Sequence, residues 1–129
     1  MGMGDVSAKS TPKVSLLSPA QHGGLVSTRT WIPRRVHEAI GVFGAVSVAT
    51  ACLLPGSVAE AVVDGELGAG THEVDVEHPT GFFTVTLEAE ERDGSLAVTR
   101  SALLRTARLL MRGDVLVPAA AFDTPRRTA

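Results

Sequence analysis

Cysteine is almost absent from this chain. Cys52 stands alone among 129 residues, so an intramolecular disulfide is impossible and a cysteine-rich zinc site is excluded. Lysine is nearly as scarce: Lys9 and Lys13 both precede the part expected to fold. There is no Ser-His-Asp arrangement, no HExxH, no phosphate-binding P-loop and no dinucleotide fingerprint. A proton-transfer enzyme needs an acid or base of tuned pKa in a closed pocket, and no strong candidate pair stands out. No catalytic residue, metal or cofactor is therefore expected. Excess charge is lacking too. A net charge of -2 and a pI near 6.0 give no reason to expect nucleic acid or an anionic membrane as partner. Residues 1–13 lack the basic start and apolar run of a secretory signal, so no export is expected and the chain reads as cytoplasmic.

What is present fits one globular domain of 13.4 kDa, with 44% hydrophobic residues and a mean hydropathy of +0.19. Charge is unevenly spread: local sums are +3 over residues 1–50, -9 over 51–95 and +4 over 96–129. The acidic block suggests an exposed face. Residues 39–54 (AIGVFGAVSVATACLL) carry no charge. A membrane-spanning helix wants about 20 such residues, so this shorter run, stopped by Pro55-Gly56, reads as a buried core helix and no membrane is expected.

Along the chain, residues 1–11 mix Gly, Ser, Lys and Pro as a linker would. Strands are predicted over 13–18 and 26–31, separated by turn residues Gln21-His22-Gly23-Gly24. The helix should begin near Arg35 or Val36 and run to Leu53 or Leu54, about residues 36–54. It is apolar on every side and rich in small residues, which predicts a helix wrapped by other elements. A Gly-rich turn at 65–70 leads into an alternating strand over 72–77, with Val74 and Val76 pointing inward. His78-Pro79-Thr80-Gly81 then interrupts an antiparallel ribbon, and Asp93-Gly94 marks a hairpin turn. Residues 96–117 are ambiguous. Leu103, Leu104, Ala107, Leu110 and Met111 recur as a helical face does, whereas 96–99 and 114–117 read as strands. Residues 119–129 look frayed.

Four groups of residues invite a chemical reading. His37 and Glu38 open the apolar helix, where unpaired N–H groups and the positive dipole end suit a carboxylate; equally, His37 ends a surface turn and Glu38 complements the dipole. His78-Pro79-Thr80-Gly81 is either a bulge aiming Thr80 and the Gly81 N–H at a ligand or a bend between two strands. Arg100, Arg105, Arg108 and Arg112 suit a polyanion or, more simply, a solvated face paired with the acidic block. Cys52, deep in the predicted helix, reads as a small hydrophobe.

In order, the segments PKVSLLSP, VHEAIGVFGAVSVATACLLPGSVAE, VEHPTG and RTARLLMRGDVLVP resemble the C-terminal half of PrpF-type isomerases, over roughly residues 12–122. This family includes 2-methylaconitate isomerases, methylitaconate isomerases and 4-oxalomesaconate tautomerases. The resemblance implies an α+β fold like that of diaminopimelate epimerase: two similar halves, each a curled mixed sheet around a central apolar helix, with the active site between them. It favours strands over 96–117. It also implies a proton shift beside a carboxylate-bearing double bond, with the lysine and cysteine involved belonging to an N-terminal half that has no counterpart here. This half would anchor a small di- or tricarboxylate through His37, Glu38, Ala39, Ile40 and Gly41, with Thr80 and Gly81. Met1 falls well past the middle of the family's chain, so the sequence is expected to begin in mid-protein: a linker over 1–11, a half-domain over 12–122 and a frayed tail over 123–129. A missing N-terminal half, or self-association through the exposed cleft, is the expected partner. A non-catalytic carboxylate-binding or interaction module reusing the half-fold is the alternative.

Overall fold

In the computed structural model, which describes residues 2–65 and 67–118, the alternating segments become strands and the uncharged run becomes a helix. The frayed tail expected over 123–129, and the last residues of the expected 12–122 unit, lie outside the described residues. The elements run β1 (Val14–Pro19), β2 (Val26–Ile32), β3 (Arg35–Val36), α1 (Val42–Leu53), β4 (Gly70–His78), β5 (Gly81–Arg92) and β6 (Ser95–Leu103). They form one mixed, six-stranded sheet in the order β1-β2-β4-β5-β6, with β3 pairing beside β2. The class is α+β. Only β2 and β4 run parallel, through Val26–Val76 and Ser27–Glu77, and a parallel pair needs a crossover connection, which α1 supplies.

The helix packs on one face of the sheet. Ala45, Val48, Ala49 and Leu53 recur at helical spacing and are buried against Val74 and Val76 of β4 and Val85, Leu87 and Ala89 of β5. Ala45 and Ala49 let helix and sheet approach closely. The opposite face is open, and Phe43 is 88% exposed. The expectation of a helix wrapped on all sides is thus corrected among the described residues to one covered on a single stripe. Among those residues no helix is long and apolar enough to cross a membrane.

The helix starts six residues later than periodicity predicts. Arg35 and Val36 pair with Ile32 and Trp31 as β3, and the His37 N–H donates to the Thr30 carbonyl at 2.7 Å. That backbone is spent on the sheet, so helical turns begin only after Gly41, whose ψ of 153° is extended. At the other end Leu54 still donates to Thr50 O, and Pro55, lacking an N–H, cannot continue the ladder.

The two hairpin turns follow their residues. Asp93 and Gly94 both hold positive φ (52° and 72°), as a two-residue type I′ connection requires. His78 pairs with Gly81 across Pro79-Thr80, so this interruption is a tight turn between β4 and β5. Beyond β6 the expectation fails: residues 104–118 hold neither the helix that 103–111 suggested nor a strand at 114–117. Leu109, Leu110, Met111, Val115 and Leu116 are exposed, and a single apolar stripe with no surface to bury against among the described residues does not hold a helix or a lone strand in place.

Candidate functional site

Gly41, the N-cap of α1, offers no capping side chain, and no acidic residue lies in the first turn. The N–H groups of the first turn, from Gly41 to Gly44, therefore lack the intrahelical partners that later residues have. The expected complement at such a positive end is an acid. Instead, the Lys13 ammonium lies there: a methyl placed on Gly41 would sit 3.8 Å from Lys13 Nζ. A cation at a helix N-terminus is electrostatically unfavourable by itself, and both features together favour an anion. Lys13 was not legible as a site residue, because nothing in the sequence says that the start of β1 meets the start of α1.

The residues expected to bind are split by the fold. The His37 N–H is used by Thr30, and His37 Nδ1 accepts the Ala39 N–H at 3.0 Å. Ile40 is buried in the core. The His37 and Ala39 N–H groups are thus engaged within the protein, and the N–H groups of Gly41–Gly44 stand at the helix start. Thr80, however, comes to the same place: its Oγ1 donates to the Glu38 carbonyl at 2.9 Å, fastening the β4–β5 turn to the loop before the helix. Gly81 holds a φ of 144°, a value side chains rarely adopt, and ends that turn. The Thr80–Glu38 contact separates two clefts. One, of about 360 Å³, is lined by Ile32, Arg35, Val36, His37 and Glu38. The other is a groove of about 330 Å³ between the β1–β2 loop and the β4–β5 turn, which Thr80 and Gly81 border together with Arg29, His22 and His78.

A buried carboxylate builds that groove. Strand alternation predicts Glu77 on the exposed side of β4, opposite Val74 and Val76, yet it is only 2% exposed. The loop 21–24 folds over it, and Glu77 Oε1 accepts the N–H groups of Gln21 (3.1 Å), His22 (2.6 Å) and Gly24 (3.0 Å), while Oε2 accepts Gln21 N–H at 2.9 Å. Burial alone raises the carboxyl pKa. The N–H donors of Gln21, His22 and Gly24, with the nearby His22 ring, outweigh it and hold Glu77 below its ordinary value. Its own carbonyl accepts Thr28 Oγ1 at 2.7 Å. Gly24 is required for this closeness, since a Cβ there would lie 2.7 Å from Glu77 Cγ and 2.8 Å from Asp75 O.

The other candidates are structural. Burial pushes the Cys52 thiol up to about 11, so it stays protonated at neutral pH. Iodoacetamide at pH 7.5 is expected to label Cys52 far more slowly in the native chain than in urea, as intact-mass spectrometry would read; equal rates would contradict this. Arg100 pairs with Glu88 across the β5–β6 ladder at 2.7 Å, and Arg105 lies over the Phe83 ring at 5.4 Å. Both are surface contacts. Among the described residues no three His, Cys, Asp or Glu side chains gather as a metal would need.

Residues 1–118 match the family model described as PrpF protein. The chain is 45% identical over 127 residues to a 4-oxalomesaconate tautomerase of Pseudomonas putida, covering 98% of this chain and 34% of that protein. It is 50% identical over 117 residues to a (4E)-oxalomesaconate Delta-isomerase of a Novosphingobium species, covering 91% and 32%. A 2-methyl-aconitate isomerase of Cupriavidus necator is 35% identical over 88 residues, or 68% and 22%. The chain thus spans about a third of the length of the first two relatives.

Proposed function

The chain belongs to the PrpF family, and from that premise we propose that it supplies the carboxylate-anchoring part of an isomerase that shifts a proton on an unsaturated di- or tricarboxylate. The sheet with its single helix would be one half of a diaminopimelate epimerase-like pair, working in the cytoplasm and completed by a further segment or subunit. The names of the relatives support the reaction class, since they act on oxalomesaconate and 2-methyl-aconitate.

One observation carries the site: Lys13 Nζ lies beside an uncapped helix start that has no acidic residue in its first turn. A carboxylate seated there accepts the free N–H groups of Gly41–Gly44 and neutralises the ammonium. The loop from His37 through Glu38, Ala39 and Ile40 holds that start in place, and Thr80 with Gly81 clamps the loop from the other side. What the site does is bind and orient; the proton is moved by groups contributed from elsewhere.

Calorimetry of the purified chain with trans-aconitate tests this. Saturable binding is expected, without turnover by the chain alone. Lys13→Ala should weaken it about threefold to tenfold, on the scale of a charge at a helix end. Absence of any binding by the native chain would refute the site. Binding that Lys13→Ala leaves unchanged would move it elsewhere.

A further inference from the structure

Two features away from the helix start complement each other. The first is the segment that leaves β6. Its Leu104, Leu110 and Met111 are between 76% and 88% exposed. At about 3.6 residues per turn these three would share one side of a helix with Ala107, and Arg108 and Arg112 would flank them. Arg105 is seated over the Phe83 ring, where the segment departs from the sheet.

The second is a groove of about 340 Å³ at the C-terminal end of α1, opposite the end that Gly41 caps. Leu54, Val63, Leu67 and Leu96 give it apolar walls, and Glu60 and Glu91 border it. Both glutamates are exposed, and neither takes part in an ion pair among the described residues. Glu60 Oε2 accepts the Gly56 N–H at 2.8 Å, which leaves Oε1 for a further donor. The last turn of α1 carries no basic residue, so the carbonyl end of the helix adds to the negative potential there. A groove with apolar walls and a negative rim fits an apolar segment edged with arginine.

We propose that this groove receives residues 104–112 of a second copy of this chain, folded as an amphipathic helix and exchanged reciprocally between the two copies. Leu110 and Met111 pack among Leu54, Val63 and Leu96, and Arg108 and Arg112 pair with Glu60 and Glu91 at the rim. The mode is that of a helix laid in an apolar groove. The segment does not serve its own groove in this way. It starts at Leu103, opposite Val85, whereas the groove lies at Leu96, opposite Glu91. Six residues of β5 separate the two places, about 20 Å. A helix over 104–111 spans only about 12 Å, so Leu110 and Met111 stop short. Within a single chain the stripe therefore has no surface in reach and stays unfolded; the helix forms as it docks. Two-fold exchange makes every contact twice. The carboxylate site at the start of α1 takes no part in it.

Sedimentation equilibrium of the whole chain tests this on wild type, E60R/E91R, R108E/R112E and L110D. Wild type should form a reversible dimer that added salt weakens. Each double variant alone sets like charges together and should dimerise about tenfold or more weakly. Their equimolar mixture should recover the wild-type association, because each segment then meets a groove of opposite sign. L110D should remain monomeric, since its carboxylate replaces the apolar anchor. All five positions are exposed, and far-UV circular dichroism matching wild type confirms that each variant is folded. A wild-type chain that is monomeric at every concentration would overturn the proposal. So would double variants that dimerise like wild type, or whose mixture associates no better than either alone.

Discussion

Leu87→Ala is expected to lower the stability of the folded chain by about 2–5 kcal/mol, the range for removing a fully enclosed leucine side chain. Leu87 lies at the middle of β5 with no exposed surface, beneath the helix stripe of Ala45, Val48 and Ala49. Two of those neighbours are alanines, which cannot swing in to fill the space, so the cavity should persist. Against a total of about 5–15 kcal/mol for a typical domain, this is a large share. Urea denaturation followed by circular dichroism reads it. Phe43→Ala is the control: at 88% exposure it should change stability by no more than about 0.5 kcal/mol in the isolated chain. A loss below about 1 kcal/mol for Leu87→Ala would mean that the helix is not seated on β5 as described.

The second large effect is pH-dependent and belongs to Glu77. Its folded pKa is lower than that of an unfolded glutamate, near 4.3. The sign follows by linkage: the unfolded chain binds the proton more readily, so the contribution of Glu77 is fully present above about pH 4.3 and disappears as pH falls through the lower folded value. Glu77→Gln cannot accept N–H groups with a charged oxygen, and even with its carbonyl oxygen at the Oε1 position its NH₂ meets the Gln21 N–H that Oε2 now accepts. The variant should be less stable at pH 7, and the difference from wild type should shrink as pH is lowered through that window. Denaturant midpoints measured from pH 7 to pH 3 give the comparison. A constant difference across that range would show that Glu77 acts through packing rather than charge. Because Glu77 holds the 21–24 loop, the variant should also broaden the amide signals of Gln21, His22 and Gly24.

Several elements were legible because local chemistry governs them. The Asp93-Gly94 turn demands positive φ at both residues, which few other pairs tolerate. Pro55 stops the helix wherever it starts. The order of four sequence segments pointed to the family, and the match over residues 1–118 agrees. The helix N-terminus was misread by six residues, because VHEAIG satisfies helical periodicity while its backbone satisfies β2 better: two pairs with Ile32 and Trp31 and a hydrogen bond from His37 to Thr30 outweigh a first helical turn. Likewise residues 103–111 carry a helical stripe with no described surface to receive it.

The sequence by itself determined that this chain has one apolar helix, a glycine-assisted hairpin turn at Asp93-Gly94 and a PrpF-like order of segments, the last of which implied the α+β class. Each of these rests on residues adjacent in the chain, where φ preferences and periodicity act. The tertiary structure decided everything that joins distant residues: Lys13 beside Gly41, Thr80 against Glu38, the 21–24 loop wrapped over Glu77, and Arg29 facing His78 across a groove. Those contacts span 28 to 56 positions, as between Lys13 and Gly41 or Gln21 and Glu77. All but the Lys13–Gly41 contact involve the end of β4, which the helix crossover brings alongside β2, a pairing that no local propensity encodes.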